Sequence, residues 1–181
     1  MCRIKLAGYW KMGLLINILI WTLISGISFY IIAYVLNWIS YKYLKNRILN
    51  RQKWDLNICC GTTDGGGINA DIVRHKELPN FVLIQDIYKL PFQKNQFDHV
   101  LCSHTIEHVD YPIRFHRELQ RVGKTITYVI PPLWDITAAF NLLEHKHLFL
   151  AWGTEYKKLP KFIPLPAVAK IHAFLGQKIK A

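Results

Sequence analysis

The stretch Trp54-Asp-Leu-Asn-Ile-Cys-Cys-Gly-Thr-Thr-Asp-Gly-Gly-Gly-Ile-Asn-Ala-Asp-Ile72 decides how this chain is read. Trp54 to Cys60 reads as a strand running into the glycine-rich turn Gly61–Gly67, and Ile68 to Ile72 as a second strand with Asp71 near its end. Outward from it, Phe81–Ile84 reads as a third strand stopping before Asp86, and Phe97–Cys102 as a fourth. Lys124–Ile130 is a fifth, β-branched and halted by Pro131-Pro132. A helix fits between the last two: Asp110 can cap it, Pro112 occupies its first turn and Gly123 can end it. Ile113, Leu119 and Val122 would share its buried face, with Arg114 and Glu118 four apart outside. Strands apolar on both faces and joined through helical segments predict a parallel sheet in an α/β domain.

In such sheets ligands bind beyond the carboxyl ends of the strands. That rule gathers Gly61–Gly67, Asp71, Asp86 and Ser103–His108 on one rim. A cationic sulfonium nucleotide needs a turn where no Cβ blocks the backbone, a carboxylate for the ribose hydroxyls, and a second carboxylate near the adenine amine beside apolar ring covers. Gly61, Asp71, and Asp86 followed by Ile87 offer those groups. Either aspartate could equally cap a loop. Cys59, Cys60 and Cys102 read as small buried apolar residues.

Five segments in order resemble the class I S-adenosyl-L-methionine (SAM)-dependent methyltransferases, in particular the methyltransferase type 11-like domain. They are Leu56–Gly61, Asn69–Ile72, Asp86–Phe92, Gln96–His108 and Glu118–Gly123, spanning about Trp54 to Pro132. The resemblance implies a Rossmann-like, mostly parallel sheet with flanking helices, shortened at its C-terminal side. It implies SAM as cofactor, with Gly61 beside the methionine part, Asp71 on the ribose and Asp86 at the adenine. Asn57, Cys59, Ile87, Ser103 and His104 complete the implied binding set. Asn57 stands where that family usually has an acidic residue, and Cys59 and Thr63 where it usually has glycines. Only about ten residues separate Gly61 from Asp71, against a usual spacing near 20 in dinucleotide-binding relatives, so the first helix must be one turn or absent. No side chain stands out as a catalytic base; His104 and His108 are the nearest. A non-catalytic scaffold of the same fold is the alternative. A remoter one is a zinc peptidase, because His104-Thr-Ile-Glu-His108 fits H-x-x-E-H, with Glu144, His145 and His147 as conceivable further ligands. No metal site is expected.

Upstream, 30 consecutive residues between Lys11 and Lys42 carry no formal charge. As a helix they would reach roughly 45 Å, more than the ~30 Å hydrocarbon core of a bilayer. Residues 13–41 therefore read as a single transmembrane anchor, preceded by a tail over 1–12 and followed by a basic linker over 42–53. Tyr9, Trp10, Trp38, Tyr41 and Tyr43 would form the interfacial belts. Residues 1–53 hold 8 basic and 0 acidic side chains, 54–145 hold 8 and 11, and 146–181 hold 7 and 1. A mildly acidic core between basic flanks argues against nucleic acid as partner and for anionic lipid. Five basic residues follow the span and three precede it, which predicts a cytoplasmic soluble domain, over 54–132. Four cysteines without a disulfide or zinc pattern agree with a reducing compartment. Location at a membrane suggests a lipid, quinone, glycolipid or membrane protein as methyl acceptor. The extension over 133–181 would hold a helix capped by Asp135, an extended Lys158–Pro166 and a basic amphipathic helix over Ala167–Lys180. That last helix could lie on the bilayer or pack on the sheet.

Overall fold

A computed structural model describes residues 2–176, with side chains from residue 12 onward except for a few in the last helix. The side chains of Arg3, Lys5, Tyr9, Trp10 and Lys11, and all of Lys178 and Lys180, lie outside the described residues. The chain divides into two units, residues 1–36 and 37–181. In the first, helix α1 (Cys2–Asn37) presents apolar side chains on every side, with Leu14, Leu19, Trp21, Leu23, Phe29 and Tyr30 all exposed.

The second unit opens with a π-helical stretch, Trp38–Leu44, and a short helix α2 (Lys45–Leu49). Then come strands β1 (Trp54–Ile58), β2 (Gly66–Asp71), β3 (Phe81–Leu83) and β4 (Phe97–Ser103), helix α3 (Pro112–Val122) and β5 (Gly123–Val129). A short helix α4 (Ile136–Ala139) precedes β6 (His147–Phe149), β7 (Glu155–Tyr156), β8 (Phe162–Pro164) and helix α5 (Pro166–Leu175). The main sheet has the order β3-β2-β1-β4-β5-β7; the first five strands are parallel and β7 is antiparallel to β5. All five expected strands are present. The closing edge is only the two residues of β7, and β6 pairs separately with β8.

Strand alternation builds two faces. Leu56, Ile58, Ala70, Val100, Cys102, Ile126 and Tyr128 face α3, which contributes Phe115, Leu119 and Val122. A second cluster joins Leu101 and Val129 of the other face with Ile48 and Leu49 of α2 and with Trp54 at the start of β1, whose Nε1 donates to the Leu49 carbonyl at 3.0 Å.

Several expectations are corrected. Within the parallel set only the β4–β5 crossover is helical among the described residues; the others are loops. On α3 the buried stripe is Phe115, Leu119 and Val122, spaced i, i+4, i+7, whereas Ile113 falls on the far side and is 52% exposed. Asp110 does not cap α3: the N-cap position is Tyr111, without a side-chain bond, and Asp110 instead takes Lys146 Nζ at 2.7 Å. Glu118 turns from Arg114 to Arg121, at 2.6 Å, and accepts from Leu90 N–H. Arg121 also donates to the Phe92 and Leu90 carbonyls, so this pair clips the loop before β4 onto α3. Gly123 ends α3 in extended backbone (φ −121°) and not in a left-handed cap; a Cβ there would overlap the Val100 side chain. Asp135 does cap, accepting from Ala138 N–H at 3.2 Å, but α4 is one turn and leaves Phe140, Leu142 and Leu143 exposed. In α5 Val168 is buried and Phe174 exposed.

Candidate functional site

The parallel register pairs Trp54 with Gly66 and Ile58 with Ala70. Gly65–Gly67 therefore lies at the amino ends of the strands, opposite the rim on which the sequence placed it. Its glycines serve close approach: a Cβ on Gly65 would stand 2.6 Å from Asn57 Cβ, and one on Gly67 2.7 Å from the Asp55 carbonyl oxygen. Gly61 alone of the turn's glycines is at the carboxyl rim.

There the loop after β1 opens in left-handed backbone, with Cys59 at φ +51° and Gly61 at φ +54°. Cys59 thus supplies, as a non-glycine, a conformation that glycine adopts more readily. Gly61 N–H donates to Asp71 Oδ2 at 2.8 Å, and Ile72 N–H to Oδ1 at 2.7 Å. The Asp71 carboxylate is 6% exposed, and each oxygen keeps further acceptor capacity beyond its single backbone donor.

These groups border a cleft of about 540 Å³, within the range of small-molecule sites. Of the eight residues implied as binding, Asn57, Cys59, Gly61, Asp71, Ile87, Ser103 and His104 line it. Asp86 does not. Its Oδ1 accepts from Tyr88 N–H at 2.7 Å, capping its own exposed turn, while the following Ile87 and Tyr88 form the wall. Tyr88 is fixed edge-on against Tyr111 and Phe115, with the Arg114 guanidinium 4.9 Å above its ring. Sequence reasoning missed Tyr41, Lys45, Tyr88 and Lys146, also on the cleft wall. Tyr41 and Lys45 read as anchor and linker, and no local pattern ties Lys146 to the rim.

The cysteines are poor nucleophiles. Burial, reinforced by the Asp71 charge, pushes the Cys59 thiol well up and that of Cys60 to about 12; burial also raises Cys102. They stay protonated, as small apolar residues do not need to ionise.

His104 sits at φ +50° after β4, its ring 5.1 Å from that of Tyr41 and its Nδ1 3.6 Å from Glu107 Oε1. The His104–His108 segment is a turn, not a helix, with His108 N–H bonded to the Thr105 carbonyl. That removes the zinc-peptidase reading, which needs both histidines one helical turn apart on one face. Glu107 is 1% exposed. Burial works against its charge, but the imidazoles of His104, His108 and His145 outweigh it and hold the carboxyl at about 2.

Residues 67–130 match the methyltransferase domain family Methyltransf_11. No curated protein matches the chain. Among solved structures, a SAM-dependent methyltransferase from Aquifex aeolicus is 14% identical with a TM-score of 0.39, over 51% of this chain and 66% of that one. A chain from the complex between the Haloferax volcanii Trm112 methyltransferase activator and the putative methyltransferase is similar at 16% identity and TM-score 0.39, covering 53% of each chain. The PH0226 protein of Pyrococcus horikoshii OT3 is similar at 15% identity and TM-score 0.40, over 78% of this chain and 81% of that one. The chain thus spans less than two thirds of the length of the first two.

Proposed function

We propose that the domain binds SAM in the cleft beside Asp71 and transfers its methyl group to an acceptor held at a membrane. The observation that carries this reading is the Asp71 carboxylate, within the methyltransferase-matched residues 67–130, at the end of β2, locked by Gly61 N–H and facing the cleft. A buried carboxylate with spare acceptor capacity suits a vicinal diol, and Ile87 and Tyr88 supply apolar cover for a planar base. The left-handed turn at Cys59 and Gly61 keeps backbone close to the ligand despite the missing motif glycine. When bound, SAM supplies an electrophilic methyl group on a sulfonium. The protein's own contribution is then orientation, with the acceptor aligned against the cleft mouth, and proximity of that kind accounts for much of such a rate. Among the side chains on the cleft wall, His104 and His108 after β4 are the nearest candidates to take a proton from an acceptor hydroxyl or amine.

What supports the membrane part is α1. Among the described residues it is the one helix long and apolar enough to span a bilayer, and its most apolar 18-residue window is not buried at all within the protein. A soluble core helix would bury that surface. Five basic residues after the span against three before it favour a cytoplasmic catalytic domain. The acceptor class in this reading is a lipid, quinone, glycolipid or membrane protein.

Calorimetry of the full chain in detergent with S-adenosylhomocysteine tests the cofactor. Saturable heat at micromolar ligand is expected. Absence of heat at millimolar ligand would return the domain to the status of a membrane-anchored scaffold.

A further inference from the structure

Behind the cleft wall Glu107 and His145, which methyl transfer does not require, converge with His108; with His108 ligating an ion, proton transfer would fall to His104. Glu107, His108 and His145 each offer one ligand atom, and these atoms lie within 4.8 Å of one another. Glu107 is fully buried; His104 Nδ1 stands 3.6 Å from its Oε1, beyond hydrogen-bond length, and neither carboxylate oxygen has a hydrogen-bond partner. Carboxylates are seldom buried that way, because the lost hydration must be replaced by donors or by a cation.

Both imidazoles turn Nδ1 toward a backbone carbonyl, His108 within hydrogen-bond length. His108 Nδ1 lies 2.9 Å from the Glu144 carbonyl oxygen, and His145 Nδ1 lies 3.5 Å from that of Ala139. A carbonyl can only accept, so the 2.9 Å contact calls for a proton on His108 Nδ1, whereas the 3.5 Å contact of His145 is long for a hydrogen bond and orients that ring without fixing its tautomer. Pinning one ring nitrogen on a backbone carbonyl is the outer-shell arrangement that fixes the tautomer of a ligating histidine. The rings meet edge to face with centroids 4.8 Å apart. Glu107 and His145, though not His108, border a small open pocket with about 10 Å³ of free space beside the cluster.

We infer that Glu107, His108 and His145 form a binding site for one divalent transition-metal ion, zinc being the best fit to two imidazoles and a carboxylate. Zinc at about 2.0–2.2 Å requires the donors to draw in to roughly 3.4 Å from one another, a movement within reach of side-chain rotation. The ion would tie the turn after β4 to the segment before β6. Those segments already touch: Lys146 N–H and His147 N–H both donate to the Glu107 carbonyl. Since His108 also lines the cleft, the ion would hold that wall in place. Three protein donors leave the fourth position of the ion to water; its part here is to brace the two segments, which differs from peptidase chemistry, where the pair His104 and His108 is needed.

The test uses the full chain in detergent, purified without a histidine tag, loaded with Zn²⁺ and dialysed against metal-free buffer. Elemental analysis should give about one equivalent per chain, falling at least fivefold in His145→Ala and in Glu107→Gln but not in the exposed His99→Ala. Co²⁺ in place of Zn²⁺ should give visible d–d bands without thiolate charge transfer, a readout on the unaltered chain that does not depend on either variant folding. Retention of less than about a tenth of an equivalent by the unaltered chain, undiminished metal in folded His145→Ala, or thiolate charge-transfer bands would each overturn the site.

Discussion

Asn57 and Asn69 are register partners on the parallel strands β1 and β2, and the Nδ2 of Asn57 donates to the Oδ1 of Asn69 at 3.1 Å. From this pair a buried polar network spreads to the loop that replaces the first helix. Asn57 Nδ2 also donates to the Thr63 carbonyl, Gly65 N–H donates to Asn69 Oδ1, and Asn69 Nδ2 donates to Asp64 and to the Pro79 carbonyl. Residues 59–65 are too few for a helical crossover, which takes a dozen or more. The loop instead runs back over the sheet face with its backbone groups satisfied by the two amides. This accounts for an amide at position 57: it must donate, and a carboxylate cannot.

Asn57→Asp should therefore destabilise the domain by about 2–3 kcal/mol, because it sets a buried acceptor against two further acceptors, Thr63 O and Asn69 Oδ1. Thermal melting of the full chain in detergent checks this. A melting temperature equal to that of the unaltered chain would show that the network does not hold the loop.

At the rim the two aspartates separate. Asp71→Ala removes the carboxylate that faces the cleft and should weaken S-adenosylhomocysteine binding at least tenfold, on the order of 1.4 kcal/mol or more. Asp86→Ala removes only a turn cap and should change affinity less than about threefold. Calorimetry on both variants measures the contrast. Equal losses would mean that Asp86 swings into the cleft on binding, as the sequence expectation had it.

The five parallel strands were legible because each is a short apolar or β-branched run bounded by turn residues, and register then follows from burial. What misled was direction along the strand. A glycine run reads the same whether it approaches a ligand or a neighbouring backbone, so Gly65–Gly67 was set on the wrong end of the sheet. On α3, Ile113 and Phe115 are equally apolar, and only the tertiary position of the sheet selects Phe115. The pairing of β6 with β8 joins strands of three residues each, too short for any period to show. His145 reaches Glu107 through long-range backbone bonds, so no local spacing fixes their meeting, although the sequence offers His145 as a conceivable further ligand to the motif that holds Glu107.

The Glu118–Arg121 clip carries a pH dependence of definite sign. The Arg121 hydrogen bond, opposed by burial and helped by Leu90 N–H, holds the Glu118 carboxyl below its ordinary value of 4.5. A depressed folded value means the contribution is fully present above the unfolded value and is lost as pH falls through the folded one. The stability gap between the unaltered chain and Glu118→Gln should thus be constant from neutral pH to about 5 and narrow below about 4.5. Melting curves of both proteins across that range measure it, and a gap independent of pH would rule out the linkage.

Gly123 permits the contact between the end of α3 and β4, since a Cβ there would overlap Val100 while the backbone at φ −121° is open to any residue. Gly123→Ala should cost about 1–3 kcal/mol through overpacking alone. The double variant Gly123→Ala with Val100→Ala should lose less than the two single losses added together, because truncating Val100 clears the overlap. Additive losses would place the strain elsewhere.

The anchor makes a demand of its own. If α1 lies in a bilayer, the full chain should stay with membranes after an alkaline carbonate wash that strips peripheral proteins. Replacing two central residues, Ile20→Arg with Ile24→Arg, adds about 5–7 kcal/mol to insertion on the translocon scale. Those two positions are one turn apart on α1, so both charges fall on one face of the helix. The double variant should leave the washed membrane fraction. An unaltered chain released by carbonate would show that α1 docks on protein and does not cross lipid, and the positive-inside argument for orientation would go with it.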